Sequence, residues 1–281
     1  MSIISLTPAG VVGMANNAYH SHASLSLSLC KWLEPETAPL QFWHRSWMNP
    51  ERVIDSHPIT GCMNTGTLMH MAMENMPMFM STVQLLPHIK RTKKPGYIGA
   101  AAGGQLEALL TIRQKLLAMP LVQEAVEEGN PEVSFFSYHA GVPIRCRPDY
   151  CTPKLELHWK FTGQMERLGW VIDRFRYIEG IAWYRRVRRS LGLPDVRQVM
   201  VFCETKPPYE IRVIQPSTYF LDEADVYGHR AIQRFLHLRS AYGDGPWPDF
   251  SAKPQDIYHS SAGGPGHSVG MPYNYEKRIS L

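Results

Sequence analysis

The residues Leu155-Glu156-Leu157-His158-Trp159-Lys160-Phe161 alternate without error. In a strand, Leu155, Leu157, Trp159 and Phe161 share one face, and Glu156, His158 and Lys160 share the other. Just upstream, residues 142–149 read as a strand that ends in the carboxylate of Asp149. Hairpin neighbours bring Asp149 close to the polar face of 155–161. A carboxylate on one strand and an acid-x-Lys on the next make an arrangement that cleaves phosphodiesters. The acids hold Mg²⁺, which polarises the phosphate and acidifies a water, while the lysine helps activate that water and offsets developing charge. An antiparallel strand with one solvated face gives the same alternation with no chemistry attached.

Other chemistry-bearing residues have a bland reading beside the functional one. His70 lies on a methionine-rich helix among Leu68, Met69, Met71 and Met73, where a lone histidine reads as a core or capping residue. Glu74, four residues on, could orient its ring. Arg185, Arg186, Arg188 and Arg189 surround Val187 at the end of a long helix, which suits the helix dipole and solubility. They also suit phosphate contact along a DNA track, to which Lys90, Arg91, Lys93 and Lys94 of a basic loop would add. Such contacts would be non-specific and salt-sensitive. Val171, Phe175, Ile178 and Ala182 form an apolar stripe that reads as core. Tyr177 and Tyr184 lie off that stripe, facing a cleft or packing. Trp32, Trp43 and Trp47 read as helix anchors, although an aromatic could also wedge at a DNA end.

The elements that must position these groups follow from pattern and punctuation. A short serine-capped helix runs through Trp32 to a stop near Pro35, and a second covers 66–76, capped at Asn64 or Thr65 and stopped by Met76-Pro77. Further helices span about 104–119, then to Gly129, then 171–190 and 221–241. Strands are expected over 132–138, 142–149, 155–161, 198–205 and 209–215. A three-strand run and a two-strand run with helices on both sides imply an α/β fold with a mixed central sheet flanked by helices. Residues 1–18 read as an N-terminal tail, 19–259 as one domain and 260–281 as a flexible C-terminal tail. With 281 residues and 44% hydrophobic content the chain can bury a sizeable core, and a net charge of +4 permits an anionic partner without requiring one. Five scattered cysteines with no CxxC pair read as buried, reduced thiols of a cytoplasmic protein. No signal peptide, membrane span, phosphate-binding GxxxxGK loop or GxSxG element is visible.

The chain resembles the nuclease domain of phage and prophage exodeoxyribonuclease VIII, a restriction-endonuclease-like (PDDEXK) fold related to the lambda-type and RecB-type exonucleases. The likeness runs from about Tyr19 to Phe250. It is carried by Tyr19-His20 with Leu25–Leu29, by Pro39-Leu40-Gln41-Phe42-Trp43, and by Gly66-Thr67-Leu68-Met69-His70. It continues through Glu132-Val133-Ser134-Phe135-Phe136, Arg147-Pro148-Asp149 and Trp247-Pro248-Asp249-Phe250. The resemblance implies that His70 and Asp149 hold the metal with Glu132 nearby, that the Trp159 carbonyl fills another metal position, and that Lys160 is the catalytic lysine.

Two departures bear on activity. His158 stands where the family has an acid two residues before the lysine, and Gly180 replaces the glutamine of a Tyr-x-x-Gln-x-x-x-Tyr helix that here retains Tyr177 and Tyr184. An imidazole can ligate, but Mg²⁺ prefers hard oxygen, so His158 would favour Mn²⁺ or another softer ion. Glu156 is about 7 Å along the strand from His158 and does not substitute for the missing acid. The expectation is a Mg²⁺-dependent exonuclease, with Mn²⁺ as the alternative ion, acting on double-stranded DNA ends. It would resect the 5′ strand beside a single-strand annealing protein, as a homo-oligomer encoded by a phage or prophage. The rivals are a degenerate relative that binds DNA or assembles without cleaving, and an endonuclease on the same fold.

Overall fold

The computed structural model describes residues 10–53, 61–82, 84–85, 100–101 and 103–249. The chain opens with β1 (Gly10–Val11), α1 (Asn16–Ser21), α2 (Leu27–Cys30, continued by a 3-10 turn over Lys31–Leu33) and α3 (Pro39–Arg45). Next come α4 (Gly61–Glu74), α5 (Met76–Thr82), the two-residue strands β2 (Gln84–Leu85) and β3 (Ala100–Ala101), α6 (Gly103–Leu117) and α7 (Pro120–Glu128). The sheet region holds β4 (Asn130–Pro131), β5 (Ser134–His139), β6 (Val142–Cys146), β7 (Tyr150–Cys151) and β8 (Leu155–Thr162). After it follow α8 (Leu168–Phe175), α9 (Tyr177–Ser190), β9 (Arg197–Glu204), β10 (Ile211–Ile214) and α10 (Thr218–Tyr242).

The main sheet has five strands in the order β10-β9-β8-β7-β4. It is mixed: β8 and β9 are parallel and the other pairs antiparallel. A parallel neighbour demands a crossover, and α8 and α9 supply it. A second, three-stranded sheet has the order β1-β5-β6, and β2 pairs with β3. The expected mixed α/β architecture with flanking helices is therefore present.

β8 sits between helical layers. Its apolar face, Leu155, Leu157 and Trp159, joins Val199, Val201 and Cys203 of β9 under Leu68 and Met69 of α4, Ile112 of α6 and Val122 of α7. Trp159 is fully buried, and truncating it to alanine would cost about 3–5 kcal/mol. Met200 and Phe202 of β9 pack against Ile172, Ile181 and Leu221 on the opposite side. The third cluster joins Phe42 and Trp43 of α3 to Phe235 of α10 and to Trp247, whose ring stacks on Phe42 at 5.1 Å between centroids. The first and last parts of the described chain thus close one core, and Trp43 and Trp47 anchor it as expected.

Several expectations are corrected. The polar face of β8 is not solvated, since Glu156 and His158 are buried beneath α9. The helix expected over 171–190 breaks at Arg176, which adopts a left-handed φ of 54°. Its guanidinium pairs with Glu34 at 2.8 Å and lies over the Tyr227 ring, so tertiary contacts hold a backbone that propensity disfavours. Phe175, expected in the core stripe, is consequently exposed. The helix expected over 66–76 starts at Gly61 and is interrupted at Asn75; Pro77 falls in the first turn of α5, where its missing N–H costs nothing. The strand expected over 142–149 ends at Cys146 as β6 of one sheet, and the hairpin partner of β8 is instead β7, just beyond it and in the other sheet. Gly10 and Val11, expected in a tail, pair with β5. The 260–281 tail lies outside the described residues.

Candidate active site

Asp149 stands where the chain leaves one sheet for the other. The β7–β8 ladder ends at Tyr150, and the Asp149 carboxylate continues it: Oδ2 accepts the Trp159 N–H at 2.6 Å. That bond fixes the carboxylate, and Oδ1 lies 3.8 Å from His70 Nδ1. α4 delivers His70 because Leu68, Met69, Ala72 and Met73 bind it to the sheet and leave His70 and Glu74, one turn apart, at the rim. Their side chains meet at 3.3 Å. Glu132 enters from the β4–β5 connection, where its own φ is 47° rather than extended as expected. Its N–H donates to the Asp149 carbonyl at 3.0 Å, and Arg147 holds its carboxylate at 3.2 Å. Non-glycine residues with such backbones persist where surrounding contacts over-determine them.

These groups converge. Ligand atoms of His70, Glu74 and Glu132 all lie within 4.8 Å of one another, with Asp149 adjoining through His70. Lys160 Nζ donates to the Trp159 carbonyl at 2.8 Å and is 3.7 Å from Asp149 Oδ2. The electrostatics fit a cation. Burial pushes the Glu74 carboxyl up, and the neighbouring Glu132 and Asp149 charges push the same way against the His70 hydrogen bond. Burial alone would lower the His70 pKa, but Asp149 and Glu74 outweigh it and the net shift is upward. Asp149 moves the other way: burial opposes ionisation, yet Lys160, His70 and the Trp159 N–H hold it below the usual carboxylate range. One imidazole and two carboxylates lie within 4.8 Å of one another with the Asp149 carboxylate beside the imidazole, and such mixed nitrogen and oxygen donors suit a borderline divalent ion such as Mn²⁺, while the oxygens also suit Mg²⁺.

His158 lies deeper than this cluster. Its Nε2 is 3.1 Å from Gln198 Oε1, and its ring packs on Tyr184 at 4.8 Å. Burial and the Lys160 charge lower its pKa to about 4, so the ring is neutral. α9 covers the polar face of β8 one residue at a time: Tyr177 lies by Lys160, Tyr184 by His158 and Arg188 by Glu156. At Gly180, Leu27 Cδ2 stands 3.1 Å from where a Cβ would be, so α2 occupies the position a longer side chain would take.

The basic cluster on α9 does not form a surface track. Arg185, Arg186 and Arg188 are buried and pair with Asp222, Asp225 and Glu156, because α9 packs along α10 and over β8. Arg189 is exposed but pairs with Asp195. Lys90, Arg91, Lys93 and Lys94 lie outside the described residues. Positive groups do border the site elsewhere. Arg147 and Lys31 line a cleft of about 300 Å³ together with Ser26, Ser28, Glu132 and Tyr184. Four cysteines, Cys30, Cys146, Cys151 and Cys203, are free and buried. Among the described residues no helix is long and apolar enough to cross a membrane.

Sequence reasoning gave Glu74 only an orienting role and assigned none to Arg147 or Gln198. The i, i+4 spacing from His70 was the available signal for Glu74. Gln198 carried none, because only strand pairing brings it beside His158.

No protein-family model matches the chain, and no curated protein matches it. Among solved structures, the chain is similar to the crystal structure of a protein from Eubacterium rectale described as a "putative exonuclease". The TM-score is 0.63 at 14% identity, covering 91% of this chain and 96% of that one. At that identity the likeness establishes a shared fold, and it does so along nearly the whole length of both proteins.

Proposed function

We propose that this chain is a metal-dependent exodeoxyribonuclease that digests linear double-stranded DNA. The observation that carries the reading is the meeting of His70, Glu74, Glu132 and Asp149 beside the Lys160 ammonium. The similarity to a protein described as an exonuclease supports it. His70, Glu74, Glu132, Asp149 and the Trp159 carbonyl would hold the ion, which supplies phosphate polarisation and a more acidic water. Lys160 holds a positive charge next to the Asp149 carboxylate and can offset charge on a phosphate. The Trp159 N–H locks the Asp149 rotamer, and Arg147 holds Glu132 in place. The adjoining cleft, with Lys31 and Arg147, suits an anionic backbone. Action at DNA ends, resection of the 5′ strand beside a single-strand annealing protein, and assembly as a homo-oligomer belong to the same proposal.

A second reading rests on His158 and Gly180. A neutral imidazole in place of a carboxylate leaves the site one negative charge short, which favours a protein that binds DNA without cutting it. The two are separated by incubating purified protein with linear and covalently closed duplex DNA in Mg²⁺ or Mn²⁺. The exonuclease reading expects loss of linear DNA only, abolished by Lys160→Ala. Binding without cleavage in either metal supports the second reading, and cutting of closed circles would make the protein an endonuclease.

A further inference from the structure

Leu168, Val171 and Ile172 fall at the spacing that turns one face of α8 to the core, and all three are buried. Phe175 continues the same spacing, yet it is 47% exposed. The cause is the next residue. Arg176 ends α8 and begins α9 in a left-handed backbone, at φ 54°, with its guanidinium held by Glu34 at 2.8 Å and by the Tyr227 ring at 4.8 Å. Lys31 Nζ donates to the Phe175 carbonyl at 2.9 Å and fastens the same corner. A side chain that the helix pattern would bury is thus held at the surface by contacts from distant parts of the chain. Backbone strain of this kind gathers at binding and catalytic sites.

The corner lies beside the candidate site. The Phe175 ring stacks on Tyr177, with 5.7 Å between centroids and the planes 25° apart, and Lys160 Nζ is 5.5 Å from the Tyr177 ring centre. Phe202 of β9 backs the Tyr177 ring at 5.6 Å. Two ring-sized steps therefore join the Lys160 ammonium to an aromatic side chain that is about half open to solvent. Lys31, on the same corner, lines the cleft with Glu132 and Arg147, and Arg174 next to Phe175 is exposed. An open aromatic surface among ammonium and guanidinium groups suits a nucleotide, because the ring takes the face of the base and the cations take the phosphates. In an intact duplex each base face is covered by its neighbours. The ligand that fits is a single strand, or a strand end freed from its duplex.

We propose that Phe175 is a stacking platform for one nucleobase of single-stranded DNA whose neighbouring phosphates meet Lys160 and Lys31. Every base has a π-face, so the platform holds the strand without reading its sequence. The inference deepens the nuclease reading and rests on it for the phosphate at Lys160, but the stack itself needs neither metal nor cleavage. Trp170 supplies a comparison on the same helix. It is 46% exposed, but its ring faces Arg167 at 4.8 Å rather than Tyr177, and it takes no part in the platform.

The test titrates the full chain, with a chelator present, into single-stranded DNA oligonucleotides carrying 2-aminopurine near one end or the other. Stacking quenches the fluorescence of that base. Wild type is expected to quench it saturably at one of these positions. Phe175→Ala should lose the quenching and bind about 5–150-fold more weakly, the fold-change for one stacked base. Phe175→Leu, apolar but not aromatic, should be as weak as Phe175→Ala, whereas Phe175→Trp and Trp170→Ala should behave as wild type. An oligonucleotide abasic at the quenched position should bind wild type as weakly as the complete strand binds Phe175→Ala, and combining the two changes should cost no more than either. The abasic strand needs no variant to fold. Undiminished binding of that strand, or of the complete strand by Phe175→Ala or Phe175→Leu, overturns the proposal. So does a Phe175→Ala protein that changes its oligomeric mass and keeps its quenching, which would make this face a contact between copies. The same preparations on linear DNA with Mn²⁺ separate the two readings. Quenching that depends on Phe175 without cleavage removes the exonuclease reading alone, while cleavage with binding indifferent to Phe175 removes this inference alone.

Discussion

Replacing Arg188 by methionine should destabilise the protein severely, and the geometry sets the size of the effect. The Glu156 carboxylate is wholly inaccessible to solvent, with Arg188 on one oxygen and Gln198 on the other. Arg188→Met keeps an unbranched stem of similar reach and deletes the charge. It leaves Glu156 with one neutral donor and the Pro194 carbonyl without its two guanidinium contacts. One-sided removal of a buried ion pair costs about 3–5 kcal/mol. At roughly 2–4 °C per kcal/mol for a domain of this size, the melting temperature should fall by roughly 6–20 °C. Adding Glu156→Leu removes the stranded charge, and the double variant should return to within about 2 kcal/mol of wild type, since apolar replacement of a buried pair is often close to neutral. Urea unfolding followed by tryptophan fluorescence measures both, the m-value serving as the check that the transition is unchanged in kind. A single variant within about 1 kcal/mol of wild type would refute the reasoning. So would a double variant no better than the single.

Two glycines offer a contrast in packing. Gly228→Ala should destabilise by about 1–2 kcal/mol, because its Cβ would lie 3.0 Å from Trp183 Cε3 in a closed core, and overpacking outweighs the gain in helix propensity. Gly180→Ala meets only the mobile end of Leu27 and should be neutral or stabilising by up to about 1 kcal/mol; thermal melts of the pair decide whether the order holds. His158→Asp restores an oxygen donor beside Lys160 and should raise Mg²⁺-dependent cleavage relative to Mn²⁺-dependent cleavage, at a stability cost of about 1–3 kcal/mol for the orphaned Gln198 oxygen. An unchanged metal ratio would count against a role for position 158. The hydrogen bonds from Arg189 hold Asp195 below the usual carboxylate range, so their stabilisation is present above the unfolded-state pKa and lost as pH falls through the folded one. The pair is exposed, so Asp195→Asn should cost under about 1 kcal/mol near neutrality and nothing in strong acid, as urea titrations at the two pH values would reveal.

Much of the site was legible in sequence because its parts are local. The alternation of 155–161 gives β8, the hairpin gives its approach to Asp149, and the i, i+4 pair gives His70 with Glu74. What could not be read depends on contacts between distant segments. Four arginines in five residues look like a phosphate track until α10 brings Asp222 and Asp225 to meet them. The stripe through Phe175 and Ile178 assumes one continuous helix, and the break at Arg176 is imposed by Glu34 and Tyr227, residues from opposite parts of the chain. Glu132 reads as the start of a strand, yet its turn is held by the Asp149 carbonyl across the sheet junction.

The buried polar face of β8 also carries information about assembly of the sheet. Suppose β8 slid by a single residue against β9. Its side chains would exchange faces, sending Glu156 and His158 in among Leu68, Ile112 and Val122 and presenting leucines to Arg188. Uniformly apolar strands would tolerate that error cheaply, whereas here each misaligned pairing strands ionic groups in hydrocarbon. These buried polar residues therefore serve as a key, admitting one alignment of the two central strands and rejecting its neighbours during folding.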